Sequence, residues 1–461
     1  MKKIINLALA LVMVVSLAAC GGSETGTTTK ADTAETTAAK KDDSENNETK
    51  APAEDASSDD TSGAAGSLTV WCWDPAFNIY AMNEAAKVYQ QDNPDFILDV
   101  VEVPWDDIQT RITTAMTSGD TSTLPDILLC QNNAYQKNVM NYPDLFVDLT
   151  DSGIAFDQFG KSSVSFSVID GKNYGVPFDN GTAVNAMRTD ILEEAGYTLE
   201  DFTDITWEEY ITLGKDVYDK TGKPLMSTES GGKDLFTMML QSSGSSIFNE
   251  DGSPNIMDND VLRDAIDVQV RLIEENVMTQ VNNWDEYIAT FINGEVAGTI
   301  NGCWILASVQ TAEDQKGLWG ITNLPKLSDS KATNYASQGG SSWGITPNCK
   351  DVDLAIDFLA NTFAGSVPFY ETILPSAGAL ANYLPAGDSD VYSKPQPFFA
   401  DQPIYADIVS FGSHVPNSQP GIYFYEARDA LGVALVNILN GSDIDAELQT
   451  VEDTITFTMG G

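Results

Sequence analysis

Between Tyr174 and Gly196 the chain reads as a short apolar run (Tyr174 to Phe178), a polar break (Asp179-Asn180-Gly181-Thr182), a second apolar run (Ala183 to Met187), and a helix. That helix starts near Thr189-Asp190 and stops at Gly196, a residue suited to a C-cap. Strand, polar break, strand, helix is the pattern of a chain leaving one sheet for another, with the break in a cleft between lobes. An ordinary hairpin inside one sheet would show the same residues.

Upstream, the pattern predicts strands at Ser67 to Trp73, Phe96 to Val103 and Asp126 to Cys130. Helices at Phe77 to Gln91 and Trp105 to Ser118 lie between them. Ile108, Ile112 and Met116 form one apolar stripe on the second helix. This β-α-β-α-β order implies an α/β fold with a parallel sheet, in which ligands meet the carboxyl ends of the strands. Just past two of those ends stand Trp71 to Asp74 and Gln131 to Asn133. Trp71 and Trp73 share one face by strand alternation. Each of them reads equally well as core, and Asn132 equally well as a turn residue.

Downstream, Thr206 and Glu209 form a capping box that opens a helix running to Lys220. Further helices are expected at 234–241, 260–276, 284–293, 351–363 and 425–440, with a last one from Asp443. Val296 to Leu306 reads as apolar strands around an Asn301-Gly302 turn. A second apolar-to-polar passage runs from Tyr335 to Pro347.

At 461 residues the chain is long enough for two domains, and its 42% apolar content suits a globular body. With 24 basic and 68 acidic residues, the net charge of −44 excludes nucleic acid as a partner. The single histidine, His414, excludes a Ser-His-Asp site elsewhere and any multi-histidine metal site. No metal or cofactor is expected. Cys72, Cys130, Cys303 and Cys349 sit in apolar runs and read as buried free thiols.

The N-terminus carries Lys2-Lys3, an apolar stretch from Ile4 to Leu17, and Leu17-Ala18-Ala19-Cys20. Residues 1–19 therefore read as an export signal. The L-A-A-C run resembles a bacterial lipobox, which implies that Cys20 is lipidated, an anchor of two acyl chains. Residues 20–66 hold that cysteine and a polar tether with 11 acidic and 4 basic residues from position 21 on. As a flexible chain the tether spans roughly 35–40 Å. The expected location is the extracellular face of the cytoplasmic membrane, of Gram-positive type, with the lipid as the one membrane contact.

Six blocks carry a wider resemblance: Leu68 to Asp74 (LTVWCWD), Leu124 to Ile127 (LPDI), Tyr174 to Pro177 (YGVP), Arg188 to Gly196, Ile300 to Trp304 (INGCW) and Gly339 to Trp343 (GGSSW). In order and spacing they resemble the sugar-binding family of ABC-importer solute-binding proteins, the group that includes maltose-binding protein. Asn185 to Asp190 departs from the aromatic-Asn-Lys-Asp run common in that family.

The resemblance implies a two-lobe periplasmic-binding-protein-like fold of type II, with hinge-linked lobes and interleaved chain crossings. Crossings fall near 179–182, 338–343 and 378–385. The N-terminal lobe is expected at 67–180 plus 343–380, and the C-terminal lobe at 181–342 plus 381–461. The implied function is a monomeric carbohydrate receptor, without catalysis, that closes on a sugar or oligosaccharide and delivers it to an importer permease.

A sugar needs flat rings for its CH faces and polar groups for its hydroxyl rim. Trp71, Trp73, Asp74 and Asn132 are candidates by position. Trp304 matches the family's stacking tryptophan, Asp179 and Asn180 its hydroxyl-binding site at the crossing, and Tyr425, with Tyr423 beside it, a late aromatic. Gly340, Ser341 and Trp343 line the second crossing. Two alternatives remain: the same fold binding a polyamine or glycerol phosphate, or a surface-anchored glycoside hydrolase.

Overall fold

The computed structural model describes residues 66–179, 181–249, 251–416 and 421–460. The expected export signal, Cys20, the expected tether as far as residue 65, and Asn180 lie outside the described residues. Among the described residues no helix is long and apolar enough to cross a membrane.

Three parallel strands start the first sheet: β1 (Ser67–Cys72), β2 (Ile97–Glu102) and β3 (Ile127–Gln131). A small hairpin follows, β4 (Val168–Ile169) and β5 (Lys172–Asn173), and then β6 (Val176–Pro177). Next come β7 (Ala183–Arg188), β8 (Met226–Glu229), β9 (Met278–Val281), β10 (Gly298–Gly302), β11 (Trp319–Thr322) and β12 (Ser341–Ile345). The first sheet has the order β2-β1-β3-β12-β6 and the second the order β10-β7-β11, while β8 and β9 pair separately in parallel.

The apolar run of β3 is continuous because both faces of the first sheet are covered. Ile127 and Leu129 pack on one side with Leu68, Val70 and Trp343. Leu128 and Cys130 pack on the other with Trp71, Ile108 and Ile112. In helix Trp105–Ser118 the inner stripe is Ile108, Ile112 and Ala115, and Met116 is half-buried. The capping box forms as expected: Thr206 N donates to Glu209 Oε2 at 2.8 Å, and Glu209 N to Thr206 Oγ1 at 3.3 Å. Gly196 ends its helix in the left-handed region, φ 86°. All four described cysteines are buried thiols outside any disulfide.

The break at Asp179-Thr182 does connect two sheets. β6 belongs to the first and β7 is the centre of the second, so the hairpin alternative fails. The two lobes of this type II fold are joined where three chain segments run side by side. Gln338 N donates to Gly181 O at 2.7 Å and Phe178 N to Ser341 O at 2.9 Å, and Asp179 bridges to Ala381. Gly181 is required by this contact, since a Cβ there would lie 2.3 Å from the Gln338 carbonyl oxygen. β12 starts at Ser341, so Ser341 and Ser342 already belong to the first sheet.

The Asn301-Gly302 turn is a correction. Both residues lie within β10, and the chain turns after them into helix Ile305–Gln310. Asn301 is satisfied inside the lobe: its Nδ2 donates to the Tyr287 hydroxyl at 3.2 Å and its Oδ1 accepts from Gly302 N at 2.9 Å. The glycine serves packing rather than a turn, because a Cβ at position 302 would meet Trp304 Nε1 at 2.2 Å.

Candidate functional site

The carboxyl ends of β1, β2, β8 and β9 and the chain crossings converge on one cleft of about 860 Å³. Trp73 and Asp74 follow β1, and the turn there is locked by Asn78. The Asn78 Oδ1 accepts from Trp73 N at 3.0 Å and from Asp74 N at 2.9 Å. Asp74 in turn caps the next helix through Ala76 N at 2.9 Å and Phe77 N at 3.1 Å. Desolvation pushes the Asp74 carboxyl up, against these two N–H donors.

Two tryptophan pairs line the cleft. Trp73 and Trp105 lie with centroids 5.4 Å apart on the first-sheet side. Trp284 and Trp304 lie 5.8 Å apart on the second. Trp304 Nε1 donates to Gln338 O at 2.9 Å, which ties this ring to the crossing. Each pair is half-buried, an apolar face left toward the cavity.

At the cleft floor Asp179 is buried, its Oδ1 accepting from the Ser341 hydroxyl, and its carbonyl accepting from Asn382 Nδ2 at 2.6 Å. Burial pushes the Asp179 carboxyl up to about 6, against the hydrogen bonds from Ser341. The sign follows from linkage. Between the unfolded value near 3.8 and about 6 the folded state holds the proton more tightly, so stability falls as pH rises through that window. A loss on the order of 2–3 kcal/mol is expected from this group. Asp179→Asn is expected to remove that slope between pH 4 and 6, as read by chemical denaturation at several pH values. An identical slope in the variant would clear Asp179 of it.

The upper walls are acidic. Glu102 and Asp106 stand on the first-sheet side, Glu229, Asp234 and Asp285 on the second. Partial desolvation pushes the Glu229 carboxyl up, and the charges of Asp234 and Asp106 act in the same direction, opposed by Lys233 and Arg428.

Of the residues expected from sequence, the cleft lining includes Trp73, Asp74, Asp179, Trp304, Gly340 and Ser341. Trp71, Asn132, Trp343 and Tyr425 are placed elsewhere. Trp71 packs under the sheet, with the Arg111 guanidinium 4.9 Å from its ring centroid. Asn132 pins β12 to β3: its Oδ1 accepts from Ser342 Oγ at 2.9 Å and its N donates to Gly340 O at 2.9 Å. Trp343 is fully buried beside Phe178 and Phe363. Tyr425 donates its hydroxyl to Gln131 Oε1 and packs near Trp105, 6.4 Å between centroids, a brace from helix Phe424–Leu439 to the first sheet.

Trp105, Trp284 and Glu229 also line the cleft and are not among the residues expected from sequence. Trp105 and Trp284 stand just past the carboxyl ends of β2 and β9, as Trp73 does past β1, and Glu229 is the last residue of β8. β8 and β9, four residues each, are too short to stand out in a sequence pattern.

The family model of bacterial extracellular solute-binding proteins matches residues 84–367. The chain is 37% identical over 393 residues to a lactose-binding protein of Rhizobium radiobacter, covering 85% of this chain and 93% of the relative. Among solved structures, an ABC-transporter-associated binding protein of B. animalis subsp. lactis in complex with β-1,6-galactobiose superposes with a TM-score of 0.72 at 18% identity, covering 85% and 96% of the two chains. The GacH receptor of Streptomyces glaucescens, solved with and without acarbose, gives 0.71 at 16% identity, covering 85% and 97%.

Proposed function

Because the chain belongs to the bacterial extracellular solute-binding proteins, which act outside the cytoplasm, we propose that it is the carbohydrate receptor of an ABC importer with galactosyl disaccharides as its ligand class. The observation that carries this is the pairing of Trp73 with Trp105 and of Trp284 with Trp304 around one cleft. Indole faces stack on the CH faces of a sugar ring, and the carboxylates and Ser341 between them accept from its hydroxyls. The lactose and galactobiose ligands of two relatives support the galactosyl choice.

Trp73, Asp74, Trp105, Asp179, Trp284, Trp304, Gly340 and Ser341 hold ligand-facing roles in this reading. Trp71, Asn132, Trp343 and Tyr425 support the walls from behind. Lipidation at Cys20, work as a monomer, and docking of the closed form on a permease complete the proposal. A lobe division at 67–180 plus 343–380 against 181–342 plus 381–461 belongs to it, as does the absence of a reaction.

Thermal unfolding tests it against lactose, galactobiose, maltose, spermidine and glycerol phosphate. A ligand at ~100 times its Kd adds about 2.7 kcal/mol, a shift of a few degrees. The expected result is a shift with a galactoside that is recovered intact. A shift with spermidine or glycerol phosphate alone, or hydrolysis of the sugar, would overturn the reading.

A further inference from the structure

Glu102 ends β2 and Glu229 ends β8, while Asp106 and Asp285 lie in the first turns of the helices that follow β2 and β9, and all four line the cleft. All four are exposed, and none takes part in an ion pair among the described residues. The two cationic side chains of the lining are both engaged. Lys233 Nζ lies 3.0 Å from Asp429, and Arg428 lies 3.4 Å from both Asp234 and Asp429. The guanidinium also sits 4.9 Å from the Tyr425 ring centroid, which holds it against the wall. The charges that remain toward the cavity are therefore negative on both sides, and Asp106 acts on Glu229 across the gap.

We propose that the cleft rejects anionic saccharides, such as phosphorylated or uronic sugars, and admits neutral and amino sugars. This rests on the saccharide reading above and narrows its ligand class. An anion seated between the tryptophan pairs would have carboxylates on each wall and no unpaired cation within the lining. Recognition of phosphate or carboxylate favours a guanidinium with a free fork, and here Arg428 already faces two carboxylates. A protonated amine meets the opposite situation, with acceptors on both walls. Specificity is set by repulsion as much as by contact.

The test uses the whole protein and four disaccharides: lactose, 6′-O-methyl-lactose, lactose 6′-phosphate and lactosamine with its amine protonated. Calorimetry at about 10 mM and about 0.5 M salt reads the charge contribution, because screening shortens from about 30 Å to a few Å over that range. At low salt the phosphate is expected to bind roughly tenfold or more below the O-methyl sugar. The gap should narrow at high salt, and lactosamine should match or exceed lactose. The double variant Asp106→Asn/Glu229→Gln is expected to raise the ratio of phosphate to lactose affinity about fivefold. Equal affinities for phosphate and O-methyl sugar at both salts would overturn the exclusion and leave the saccharide reading standing. So would a ratio unmoved in the variant. Binding by none of the four would overturn the saccharide reading and the exclusion with it.

Discussion

Trp304→Ala is expected to weaken disaccharide binding by about 1.5–3 kcal/mol, roughly tenfold to a hundredfold. The ring occupies one side of the cleft beside Trp284 and is half-buried, so truncation removes a stacking face and leaves its partner indole without support. A second contribution comes from the hinge. Trp304 Nε1 bonds Gln338 O, and Gln338 N bonds Gly181 O, so the side chain is connected to two of the three crossings. Trp304→Phe separates the two contributions, since it keeps an aromatic face and loses the N–H. The phenylalanine variant is expected to recover at least half of the lost binding free energy. Calorimetry with lactose measures both, and an affinity unchanged in Trp304→Ala would remove this residue from the ligand site.

Trp343→Ala is expected to act on stability instead. This indole is fully buried between Phe178 and Phe363, with centroids 5.5 and 5.2 Å away. Its removal empties the centre of the first lobe, and buried tryptophan truncations cost about 3–5 kcal/mol. Ligand affinity, measured well below the melting temperature, is expected to change by less than threefold. Chemical denaturation together with calorimetry separates the outcomes. Lost affinity at unchanged stability would return Trp343 to the cleft.

The contrast between these two tryptophans shows where the sequence was legible. Runs long enough to show a period were read well: the parallel strands Ser67–Cys72, Ile97–Glu102 and Ile127–Gln131, the capped helix after Thr206, and the passage from one sheet to the other at Asp179-Thr182. Trp304, which lines the cleft, is singled out in the sequence by resemblance to a family motif. Trp343 was assigned to the site because it ends the Gly339-Trp343 passage, yet strand alternation places it on one face with Ile345, the core face. Trp105 lies one residue beyond Pro104, in the first turn of a helix, and no local pattern marks it as ligand-facing. Only the packing of Pro104 and Trp105 beside the β1 end reveals that. The hinge was only partly legible, because its closeness comes from pairings between residues such as Gly181 and Gln338, distant in the chain.

The position of β12 bears on the order in which the molecule can assemble. It lies between β3 and β6 in the first sheet, and Asn132 and Ser342, which hydrogen-bond there, are separated by 210 residues. A sheet begun at residue 67 therefore stays open, with β3 an unpaired edge on that side, until most of the chain has been made. Such long-range closure slows folding. The wiring that lets two lobes share a hinge therefore also leaves the first lobe unfinished until β12 has been made.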